Sequence, residues 1–64
     1  MTAQTLSVPL ELTADEAWDL AQFLKRAGFS DYRSNAVDQD EAYRMIFASE
    51  KVRSALAKAG IDPR

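Results

Sequence analysis

Two tetrads divide this chain before any other feature is considered. Thr13-Ala14-Asp15-Glu16 and Asp38-Gln39-Asp40-Glu41 both have the form of a capping box. In that motif the first side chain accepts a backbone N–H three residues on, and the carboxylate there reaches back to the first residue's N–H. Each tetrad precedes a run with apolar residues at helical spacing, and the chain's only two glycines, Gly28 and Gly60, follow those runs. The predicted helices are therefore 14–27 and 39–59. Lys25 and Arg26 stand in the last turn of the first, where the helix dipole favours cations, and Gly28 fits a C′ position at positive φ. Leu12 can staple against Ala17 across the first cap.

The first helix has a wide apolar arc: Ala14, Ala17, Trp18, Leu20, Ala21, Phe23, Leu24 and Ala27. Such width calls for two packing layers, and Trp18 reads as core. The second helix carries Ala42, Met45, Ile46, Ser49, Val52, Leu56 and Ala59 on one stripe, with Tyr43 and Phe47 nearly opposite as a candidate contact patch.

Before the first cap, Leu6, Val8, Leu10 and Leu12 alternate with Ser7, Pro9 and Glu11. This is the period of a half-buried strand, and Pro9, which has no N–H, restricts it to a sheet edge or to turning that side to solvent. Its partner would be residues 29–37, a second copy or another protein. Residues 29–37 read as a short turn or a strand, with Ser30 capping a turn through Arg33 and an extended Ala36-Val37 stretch favoured. The expected fold is thus α/β (α+β), mostly helical, in one small domain spanning residues 1–64.

Composition removes most chemistry. There is no cysteine and no histidine, which excludes disulfides, zinc ribbons and Cys- or His-based nucleophilic catalysis. A chain of 64 residues has little room for a cleft that separates the pKa values of paired carboxylates, so no catalytic residue is assigned. Asp38, Asp40 and Glu41 lack the loop spacing and glycine of a calcium site, and neither metal nor cofactor is expected. No apolar run approaches a membrane span and no signal peptide is evident, so a cytoplasmic location with no membrane partner is expected.

The formal charge is −2, but it is unevenly placed: −4 over residues 1–24, −1 over 25–41 and +3 over 42–64. Acidic residues in a first helical turn are favoured by the dipole whatever the protein does. Taken together, Glu11, Asp15, Glu16, Asp19, Asp31, Asp38, Asp40 and Glu41 would form one acidic surface if both helix N-termini lay on one side. Asp15 and Asp19, one turn apart, have Cβ atoms ~5 to 6 Å apart, a spacing suited to competing for a basic DNA-binding groove. Direct nucleic-acid binding is disfavoured by a pI near 4.9 and by Lys51 and Lys58 sharing a face from which Arg53 is displaced.

The run Leu12-Thr-Ala-Asp-Glu-Ala-Trp-Asp-Leu-Ala-Gln-Phe-Leu-Lys-Arg-Ala-Gly-Phe-Ser-Asp-Tyr32, with Asp40-Glu-Ala-Tyr43 and Lys51-Val-Arg-Ser-Ala-Leu56, resembles short proteins of proteobacterial prophages and plasmids. Among these it looks most like the small acidic anti-CRISPR proteins directed against type I effectors, the type I-C kind included. The resemblance implies a non-enzymatic inhibitor whose acidic residues, Glu11 through Glu41, occupy the DNA-recognising subunit of the effector. The basic last helix departs from a uniformly acidic DNA mimic. The alternative is a small structural or regulatory interaction module using the strand edge and the Tyr43/Phe47 patch. A monomer is the expected state under the first reading, and a homodimer is open under the second.

Overall fold

The computed structural model describes residues 4–64, which form three helices: α1 (Ala14–Arg26), α2 (Phe29–Ser34) and α3 (Gln39–Lys58). The described residues contain no strand, so the fold is all-helical and the expected α/β class is corrected. The physical reason lies in pairing. A strand exists only when its backbone groups meet a ladder partner, and residues 29–34, the partner available within the chain, are helical instead. Ala36 and Val37 form a bend rather than an extended partner. Residues 4–12 carry no regular structure, and among the described residues their backbone groups hydrogen-bond to no other part of the chain.

The α1 start follows the expected box. Thr13 Oγ1 accepts from the Glu16 N–H at 3.1 Å, and Glu16 Oε1 accepts from the Thr13 N–H at 2.9 Å. At α3 the reciprocal half is displaced by one residue. Asp38 Oδ1 accepts from the Glu41 N–H at 2.8 Å, but Glu41 Oε1 takes the N–H of Val37, at 2.9 Å, rather than that of Asp38.

Gly28 departs from expectation. The C-cap of α1 is Ala27, at ψ 129°, and this extended step turns the chain directly into α2. Gly28 becomes the N-cap of α2 at φ −108°, with its N–H donated to Asp31 Oδ2 at 2.8 Å. Gly60 does adopt positive φ, 93°. Around it, Ile61 donates to the Leu56 carbonyl (2.8 Å) and Gly60 to that of Ala57 (3.0 Å), the paired bonds of a Schellman stop.

Helix α3 packs against both α1 and α2. Leu12, just before α1, and Leu20, midway along it, share a groove with Val52, Ala55 and Leu56 late in α3. Phe23 and Ala27, at the end of α1, share another with Met45 and Ala48 early in α3. Hence α1 and α3 run in opposite senses. The buried core is Ala17, Ala21 and Leu24 from α1 and Ala42 from α3. Trp18 is not core: it is 43% exposed, and Phe23 is 63% exposed. The apolar arc of α1 is as wide as its sequence indicates, but this chain provides only one of the two layers the arc can contact.

The molecule measures 34 × 27 × 15 Å, a slab in which the 20-residue α3 alone is about 30 Å long. Its radius of gyration is 12.9 Å, against roughly 11 Å for a globular chain of this length. Its accessible surface, 5486 Å², exceeds the ~4,100 Å² typical of a folded monomer of this mass by on the order of 1,000 Å².

Candidate functional site

The acidic residues divide into two sets. Glu16, Asp31, Asp38 and Glu41 are engaged in capping bonds to backbone N–H groups. Their positions are explained by helix starts alone. Among the described residues, Glu11, Asp15, Asp19 and Asp40 have no such bond and are exposed. Because α1 and α3 run in opposite senses, the two helix N-termini stand at opposite ends of the pair. Asp40 is twelve residues before Val52, about 18 Å along the axis at 1.5 Å per residue, while the start of α1 lies beside Val52. The structure therefore places Glu11 and Asp15 near one end, Asp19 midway along α1 on a groove it shares with Asp31, and Asp38, Asp40 and Glu41 at the other end.

Apolar surface is the larger feature. Val8, Leu10 and Leu12 border an open groove of about 520 Å³ whose floor is Leu20, Val52 and Leu56. Val8 and Leu10 there, and Leu6 before them, are each at least two-thirds exposed, although their alternation marks them as a face to be covered. A second groove, of about 410 Å³, runs between Phe23, Tyr32 and Met45. On another side of α3, Tyr43 stands between Phe29, at a ring-centroid distance of 5.6 Å, and Phe47, at 6.4 Å. All three rings remain substantially exposed.

The sequence singled out Tyr43 and Phe47 but not Phe29, Trp18 or Phe23. Phe29 joins the ladder only because α2 folds back on α3, a contact that local spacing does not encode. Trp18 and Phe23 carried a usable signal, namely an apolar arc wider than one neighbouring helix can cover.

Among the described residues no three Asp or Glu side chains are placed to hold a metal ion, and no buried side-chain polar atom lacks a partner. No helix among them is long and apolar enough to cross a membrane. No curated protein and no solved structure matches the chain. What matches over residues 1–64 is a family described as of unknown function, and the chain accordingly belongs to that family, DUF7706.

Proposed function

We propose that this protein is a non-enzymatic binding module that presents apolar faces to another protein chain. One observation carries the reading: the core is three alanines and a leucine, while Leu6, Val8, Leu10, Trp18, Phe23 and Phe47 stand open to solvent. Exposed apolar surface on this scale is the mark of an interaction site. The module needs no cofactor, and its cysteine-free composition fits the cytoplasm. The test compares the tagged chain with its Leu10→Ser/Phe23→Ser variant for the protein chains each retains, its own included, with helical content followed by circular dichroism. Loss of association at unchanged helicity is expected. Equal retention by the variant refutes the reading.

A second reading is favoured by the exposed, unbonded Glu11, Asp15 and Asp19, which run from just before α1 to its middle. Here that stretch competes for a basic DNA groove, and the resemblance to small anti-CRISPR proteins makes the groove that of the DNA-recognising subunit of a type I effector. The wild-type chain should then block DNA binding by such an effector, less so as salt rises, since charges are screened beyond ~8 Å at physiological ionic strength. Inhibition that survives Asp15→Lys/Asp19→Lys unchanged would sink this reading.

A further inference from the structure

We infer that the N-terminal apolar face is covered by a second copy of this chain, residues 6–12 of the two copies pairing antiparallel into a two-stranded ribbon about a twofold axis at Pro9. The inference rests on the binding-module reading and identifies the partner.

The register follows from Pro9. In an extended chain, residues whose side chains share a face also turn their N–H and C=O groups to the same edge. Proline has no N–H for a ladder, so in a two-stranded ribbon Pro9 must turn its nitrogen away from the partner. Ser7 and Glu11 turn away with it. Leu6, Val8, Leu10 and Leu12 then direct their N–H and C=O groups to the other copy and gain there the ladder partners that residues 4–12 as a whole lack within the described chain. Every register that satisfies Pro9 pairs even-numbered residues with even-numbered ones. The register that overlaps all seven residues sets Pro9 opposite Pro9, Val8 opposite Leu10 and Leu6 opposite Leu12. It also sets Glu11 opposite Ser7, so the carboxylates of the two copies do not face each other across the ladder.

The ribbon gathers eight apolar side chains, four from each copy, onto one face. Val8, Leu10 and Leu12 of that face border the groove over Leu20, Val52 and Leu56, so the ribbon covers both the strands' apolar sides and the open flank of the α1–α3 pair. The area agrees. The chain exposes on the order of 1,000 Å² more than a folded monomer of its mass, and a standard stable interface buries about 800 Å² per partner.

Sedimentation equilibrium of the full chain should show a dimer that dissociates on dilution. In a non-hydrogen-bonded antiparallel pair the Cα atoms are ~4.5 Å apart, within disulfide reach. Pro9→Cys should therefore give a covalent dimer on mild oxidation, whereas Ser7→Cys should not, because its counterpart lies four residues along the ribbon, ~13 Å away. Val8→Pro removes an inward N–H and should weaken the dimer at least tenfold, with Val8→Ala as the control for lost side-chain volume. Ser7→Pro removes only an outward N–H and should leave the dimer intact. Unchanged helical content by circular dichroism establishes that each variant remains folded. A wild-type chain that is monomeric at every concentration overturns the ribbon, as does Ser7→Cys cross-linking as readily as Pro9→Cys, or a Val8→Pro dimer as tight as that of Val8→Ala. A monomer that still loses its retained proteins on Leu10→Ser/Phe23→Ser overturns the ribbon alone and leaves the binding-module reading standing.

Discussion

Replacing Gly28 by serine separates two accounts of the α1–α2 junction by the sign of the stability change. A glycine at positive φ loses about 1 kcal/mol on acquiring a side chain, because a Cβ there crowds the backbone. At φ −108° no such penalty applies, and the nearest atom to an added Cβ is Asp31 Oδ2 at 3.9 Å, an ordinary contact. Serine at this N-cap would complete the reciprocal half of a box that Asp31 already closes, since its hydroxyl can accept from the Asp31 N–H. The cap itself contributes a few tenths of a kcal/mol over glycine, and the stiffer unfolded chain contributes ~0.4 to 1 more. The expected gain is thus about 1 kcal/mol. For 64 residues the unfolding entropy is roughly 130 cal/mol/K, so the melting temperature should rise by about 4 to 8 °C. Thermal melts followed at 222 nm, at matched protein concentration, measure it. Gly60→Ala is the internal reference: its φ of 93° predicts a fall of similar size although no atom lies within 4 Å of the added Cβ. A drop in melting temperature for Gly28→Ser would refute the N-cap assignment.

Thr13→Ala removes the acceptor for the Glu16 N–H and should destabilise by about 1 kcal/mol in the same melts. Leu24→Ala, at the one large buried side chain of α1, should cost about 2 to 3 kcal/mol in urea titrations. Phe47→Ala, at an exposed ring, should cost less than about 1 kcal/mol despite removing the larger side chain. A cost for Phe47→Ala equal to that of Leu24→Ala would contradict the burial pattern.

What the sequence conveyed well is what local hydrogen bonding decides. Thr13, Asp38 and Gly60 begin and end helices where expected because each acts on backbone groups within four residues. Gly28 was misread for an instructive reason. A glycine after Lys25-Arg26 looks like a helix stop at positive φ, and only the extended step at Ala27 reveals that the next helix starts at once. The alternation from Leu6 to Leu12 is genuine but incomplete evidence for a strand, since periodicity describes a face and not the ladder that face requires. The exposure of Trp18 and the spacing of the acidic residues have a different origin. Their surroundings depend on whether a second layer exists and on the sense in which α1 and α3 run, neither of which is encoded near them.

The 15 Å thickness of the slab also governs how the protein should respond to temperature. Heat capacity of unfolding tracks newly hydrated apolar area, and an average chain of 64 residues would show roughly 0.9 kcal/mol/K. A molecule that keeps most of its large apolar side chains wet in the native state has less area left to hydrate. Its heat-capacity step should be small, its stability curve shallow and its melting broad. Docking onto another chain would restore the missing curvature, so a calorimetric trace that sharpens as concentration rises would report association through heat alone.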